Sequence, residues 1–185
     1  MSSVPRIYSD ANPIIELAKF AKSAHDPNRE RDLWIMRQIL KAAQNDEISL
    51  YTSSISVAEC VAIGDDWGVD VQEFFVGLLT SGRMFKLVQD SIFVAERARD
   101  LRWKDNIRLS GMDAIHVASA LEAGCTEFLT WDNGIKKTKL TEKAAALAAL
   151  GLSVIQPRDT KLLPAFYLSE QQPLIAEDSN PKLIN

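Results

Sequence analysis

Four acidic residues stand where apolar or periodic segments give way to something else. Asp10 follows Ile7-Tyr8-Ser9, and Glu59 lies within SSISVAEC. Asp113 is in the first turn of SGMDAIHVASALEAG, and Asp132 closes Phe128-Leu129-Thr130-Trp131. Three or four carboxylates sharing one crevice cannot all stay ionised unaided, because like charges raise one another's pKa. A divalent cation resolves that conflict. A ligand set of oxygens alone, with no histidine or cysteine, selects Mg²⁺ or Mn²⁺ over zinc. Each residue also has a plain local use. Ser110-x-x-Asp113 and Ser56-x-x-Glu59 have capping-box spacing. Asp10 can make an Asx turn into Pro13, and Asp132-Asn133-Gly134 is a good turn sequence.

Whether the four meet depends on the elements that carry them. Short apolar stretches at residues 7–9, 48–51, 85–88, 127–130 and 153–155 read as strands. Amphipathic runs at 13–22, 29–44, 54–62, 71–79, 93–104, 110–124 and 140–150 read as helices. Asn12-Pro13 suggests an N-cap followed by proline at the first helical position. In the helix at 29–44, Leu33, Met36, Ile39, Leu40 and Ala43 fall on one face. Gly124 and Gly151 close two of the others. Strands alternating with helices predict an α/β fold with a mainly parallel sheet. If strands one and four are neighbours at the switch point of that sheet, Asp10 and Asp132 share the crevice at the strands' carboxyl ends, where such sheets bind ligands.

A chain of 185 residues, 46% hydrophobic and 25% charged, fits one soluble domain with a sizeable core. No apolar run reaches the roughly 20 residues a membrane span needs. The opening MSSVPRIYSD has no apolar signal core, so a cytoplasmic location is expected. The net charge of −4 argues against a general nucleic-acid coat, though a local basic rim is compatible with it. Cys60 and Cys125 lie in apolar periodic segments and read as buried, reduced thiols. After Pro157 the alternation stops. The segment still holds Leu162, Leu163, Phe166, Tyr167, Leu168, Leu174 and Ile175, which can lie over their own domain or dock on another chain. No P-loop, Ser-His-Asp or Cys-His arrangement has support.

Taken together, YSDANPII, SSISVAEC, SGMDAIHVASALEAGC and FLTWD resemble the PIN-domain nucleases, especially the bacterial VapC type of toxin–antitoxin pairs. The resemblance covers about residues 7–155. It implies a three-layer fold with a five-stranded parallel sheet of order 3-2-1-4-5, flanked by helices. A PIN domain at 1–157 would then carry a C-terminal extension at 158–185, which many compact members lack. By resemblance Asp10, Glu59, Asp113 and Asp132 form an acidic quartet holding Mg²⁺ or Mn²⁺, with Asn12 and Ser54 shaping the site. Pro13 departs from the aliphatic residue common there. The implied activity is metal-dependent endoribonuclease hydrolysis of RNA, by a toxin with a cognate antitoxin and a homodimeric state. A non-catalytic PIN-like binding module, and an RNA-processing PIN nuclease without an antitoxin, stand as alternatives.

Several nearby side chains bear on that reading. His116, one turn after Asp113, reads as a helix-face residue hydrogen-bonded near the site rather than as a ligand. Lys136, Lys137 and Lys139, with Arg97, Arg99, Arg102, Lys104 and Arg108, are either solvated faces or contacts for RNA phosphates. Trp131 can stack on a base or pack in the core.

Overall fold

The computed structural model describes residues 4–22, 24–63, 65–66, 68–131 and 143–169. The elements run β1 (Arg6–Ser9), α1 (Ala11–Ala21), a 3₁₀ turn (Pro27–Arg29), α2 (Glu30–Gln44), β2 (Ser49–Ser53) and α3 (Ser54–Glu59). Next come α4 (Val69–Phe75), which passes into a π-helical turn (Val76–Thr80), then β3 (Lys86–Val88), α5 (Ile92–Trp103), α6 (Gly111–Glu122) and β4 (Glu127–Leu129). After the undescribed residues 132–142 follow α7 (Ala144–Ala149), β5 (Ser153–Ile155), a 3₁₀ turn (Pro157–Asp159) and α8 (Ala165–Ser169).

The five strands form one parallel sheet in the order β3-β2-β1-β4-β5, the order that the family resemblance implied. Parallel strands covered on both faces should be buried on both, and the central pair β1 and β4 is, apart from Arg6 at the start of β1. Ile7, Leu50 and Leu129 enter a core with Ile14, Leu33, Met36 and Ile39 of α1 and α2. Tyr8 and Phe128 point the other way, into a second core with Leu101, Val117, Ala120 and Leu147 of α5, α6 and α7. The five apolar positions expected on one face of α2 are all buried. The buried residues of α6 are His116, Val117, Ala118, Ser119 and Ala120, so the histidine is the one large side chain among them. Gly124, at φ 66°, then supplies the left-handed residue that ends α6, with Cys125 N–H donating to Ala120 O at 2.9 Å.

Some boundaries differ from expectation, each for a local reason. The cap of α1 is Asp10 rather than Asn12, so Pro13 falls at the third helical position. Proline is tolerated there because the first four N–H groups of a helix have no intrahelical partner. Helix α3 stops at Glu59, where Cys60 leaves helical geometry at φ −87° and ψ 67°. Strand β2 runs on to Ser53, two residues past its expected end.

The described part of the C-terminal segment lies over its own domain. Leu163 and Tyr167 are buried in the core on the α2 side. Arg158 grips Asp32 of α2 with its guanidinium (Nε to Oδ1 2.9 Å and to Oδ2 3.0 Å, with Nη2 also on Oδ2) and donates its backbone N–H to Oδ1 at 2.9 Å. Two residues on, the Thr160 hydroxyl and the Lys161 N–H donate to the buried carboxylate of Glu127, at 2.6 Å and 2.9 Å. The Asn45 amide donates to Tyr167 Oη at 2.8 Å. Residues 170–185 lie outside the described residues. Cys60 and Cys125 are both buried and unpaired, and burial pushes each thiol up to about 12.

Candidate metal centre

Strands β1 and β4 are hydrogen-bonded neighbours, with Ser9 opposite Leu129. The ladder runs one step further, as Asp10 N–H donates to Leu129 O at 3.0 Å. This sets Thr130 beside Asp10 at the carboxyl edge, where the chain turns one way to β2 and the other to β5. Asp10 is held on both oxygens. Oδ1 accepts the Ala11 N–H at 2.7 Å, while Oδ2 accepts the Thr130 hydroxyl at 2.9 Å and the Asn12 amide at 3.2 Å. One carboxylate therefore caps α1 and faces the crevice.

Glu59 arrives from the other side, as the last residue of α3 after β2. Ligand atoms of Asp10, Glu59 and His116 all lie within 4.8 Å of one another. His116 is buried, and its Nε2 lies 2.9 Å from Glu59 Oε2 and 3.8 Å from Asp10 Oδ1. Its Nδ1 lies 2.8 Å from the Tyr8 hydroxyl and 3.2 Å from Ser53 Oγ. Asp113 opens α6 one turn before His116, with Ser110 Oγ accepting its N–H at 3.2 Å, so the expected serine cap is present. The Asp113 carboxylate is half-buried and stands outside the 4.8 Å group.

Asp132, Lys136 and Lys137, expected as ligand and RNA contacts, lie outside the described residues. Ser54 turns to Asp90, bonding its carboxylate and accepting its N–H at 3.2 Å, while Ser53 is the serine that touches the site. Trp131 is buried, with the Arg29 guanidinium 5.0 Å over its ring, so it packs rather than stands ready to stack on a base. Arg108 is exposed, whereas Arg97 and Lys104 are tied to Asp105 and Asp100. Tyr8, Ser53 and Thr130 went unread in the sequence. The available signal was polar residues inside otherwise apolar strands, with Tyr8 and Thr130 each two positions before an expected ligand.

The electrostatics fit a cation. Burial pushes the Asp10 carboxyl up, and Glu59 adds to this; His116, Thr130 and the Ala11 N–H offset part of it. Burial pulls His116 down, but the hydrogen bond to Glu59 and the charges of Asp10, Glu59 and Asp113 outweigh it, so it ends raised. A raised folded-state value means that stability present at lower pH is lost as pH climbs through it, and both groups act in that direction. The metal-free chain is therefore expected to lose thermal stability as pH rises above about 6.5, the ordinary histidine value. Each ~1 kcal/mol lost lowers Tm by about 2–4 °C in a chain of this size. Mn²⁺, which binds the ionised carboxylates, should restore more at high pH than at low. A metal-free Tm that stays flat or climbs from pH 6 to 9 would count against this account.

One carboxylate from the end of β1 and one from the helix after β2, at the switch point of a 3-2-1-4-5 parallel sheet, define a class as well as a geometry. The chain matches the PIN domain family over residues 7–140, and it belongs to that family. No curated protein matches it.

Proposed function

We propose that this PIN domain is an Mg²⁺- or Mn²⁺-dependent endoribonuclease of the VapC toxin type. The observation that carries the proposal is the meeting of Asp10 and Glu59 beside His116 at the carboxyl edge of the sheet. Asp10 and Glu59 hold the cation. Asp113 and Asp132 complete the quartet by resemblance, with Asp113 one helical turn from His116. Asn12 shapes the site through its bond to Asp10. A cation held there would supply Lewis acidity for hydrolysis of the phosphodiester. The carboxylates position it rather than carry protons. Arg108, Lys136 and Lys137 are proposed contacts for phosphates flanking the cut.

Among the described residues no helix is long and apolar enough to cross a membrane. A cytoplasmic location, a homodimer and an antitoxin partner belong to the same proposal, the last two by resemblance. Exposed Val61 and Val76, beside an apolar groove of about 410 Å³ between α3 and α4, support a protein partner. The test is cleavage of a mixed single-stranded RNA with and without Mg²⁺ or Mn²⁺. Cleavage is expected to need the metal and to stop with chelator. Cleavage that persists in chelator would sink the metal mechanism. Metal binding without cleavage of any RNA would favour the binding-module reading. Growth arrest on expression, relieved by a neighbouring small gene, separates a toxin from an RNA-processing enzyme.

A further inference from the structure

The side of His116 turned away from the carboxylates is as tightly built as the side facing them. Nε2 meets only carboxylate oxygens, Glu59 Oε2 at 2.9 Å and Asp10 Oδ1 at 3.8 Å. A carboxylate oxygen is an acceptor, and Glu59 Oε2 at hydrogen-bond distance already engages Nε2 on the side from which a cation would have to approach. Nδ1 meets two hydroxyls, Tyr8 Oη at 2.8 Å and Ser53 Oγ at 3.2 Å, and it too is engaged inside the fold. The Tyr8 ring is fixed in turn. It is fully buried and stacks on Phe128, with centroids 5.0 Å apart and planes 17° from parallel. Tyr8 lies two residues before Asp10 on β1, and Ser53 ends β2 just before the helix that carries Glu59. The imidazole is thus set by the two strands that deliver the two carboxylates.

We infer that His116 is a positioning residue that orients the Glu59 carboxylate through Nε2–H, with its own ring fixed by Tyr8 and Ser53, and that it is not itself a metal ligand. Glu59 needs such a hold. It ends a helix of only six residues, its side chain is 34% exposed, and His116 is its one hydrogen-bond partner among the described residues. Asp10, by contrast, receives three hydrogen bonds of its own. A carboxylate free to rotate binds a cation less tightly, because its ordering must accompany binding. Outer partners that orient ligands are worth about 10–100-fold in metal affinity.

The inference rests on the proposed metal centre, so its test reads metal binding directly. Mn²⁺ affinity is measured by calorimetry, and the pulsed electron-spin-echo spectrum of bound Mn²⁺ is searched for a directly coordinated nitrogen. Wild type should show no such nitrogen. H116L should weaken Mn²⁺ by about 10–100-fold. H116Q, whose amide nitrogen falls near the Nε2 position, should recover most of the loss. H116N, whose amide falls near Nδ1 and cannot reach Glu59, should not, and it decides the matter if the leucine variant fails to fold. Y8F should weaken binding only a few-fold, since Ser53 remains on Nδ1. A coordinated nitrogen in wild type, or H116N and H116L affinities equal to wild type while D10N loses Mn²⁺, overturns the inference and leaves the metal centre standing. No Mn²⁺ binding by wild type overturns the centre itself and this role with it.

Discussion

Asp10→Asn should lower metal-dependent cleavage by about 10³-fold and abolish measurable Mn²⁺ binding, yet leave the metal-free chain as stable as before or more so. The loss follows from removing the charge at the centre of the carboxylate group. A Lewis acid is worth several kcal/mol, and ~4 kcal/mol at about 1.36 per decade is three orders of magnitude. The retained stability follows from the other duty of Asp10. Asparagine is as good an N-cap as aspartate, so the bond from Ala11 N–H can persist. The fold already pushes Asp10 towards its neutral form, chiefly through burial. A neutral side chain of the same shape therefore removes a penalty rather than a support. Calorimetry with Mn²⁺, a cleavage assay and a melting curve on the same preparation settle it. Full metal affinity in D10N would remove Asp10 from the ligand set. A fall in Tm of many degrees would mean that its charge serves the fold.

Arg158→Met carries the largest expected effect on stability, at about 2–3 kcal/mol or roughly 4–12 °C in Tm. Asp32 is 0% exposed. Without the guanidinium it keeps only the backbone N–H of residue 158 among the bonds described, so a charge is left buried and nearly unpaired. Removing one partner of a fully buried pair costs about 3–5 kcal/mol. The Arg158 side chain is 40% exposed, so water screens part of the pair and the lower figure applies. Methionine keeps much of the aliphatic stem, which isolates the charge from the packing. Asp32→Asn should cost less, because no buried charge remains. A melting temperature within a degree of wild type for R158M would show that the pair contributes nothing net.

The sequence revealed most where one local rule sufficed. Ser110 before a periodic run gave the start of α6, Gly124 its end, and apolar runs bounded by polar turns gave all five strands. The adjacency of β1 and β4, on which the shared crevice depended, came from the resemblance and not from the residues between them. The rest turned on single-residue offsets. Strand β2 reaches Ser53, so Ser53 meets His116 while Ser54 faces Asp90. The cap of α1 is Asp10 because its carboxylate is already beside Ala11 N–H, which Asn12-Pro13 could not reveal. His116 was legible as a polar residue near the site. Its bond to Glu59 depends on how α6 is rotated over the sheet, and helical periodicity does not fix that angle to within one side chain.

The pairing of β1 with β4 also sets an order in time. Asp10 and Thr130 are 120 residues apart, and a pairing of that separation is slow to close. Synthesis at roughly 5–20 residues per second puts about 6–24 s between the appearance of the first carboxylate and that of the strand that steadies it. During that interval the carboxylates exist but the crevice does not. A chain built this way carries its acidic residues apart while it is being made, and gathers them at one edge only once the second half of the sheet has docked on the first.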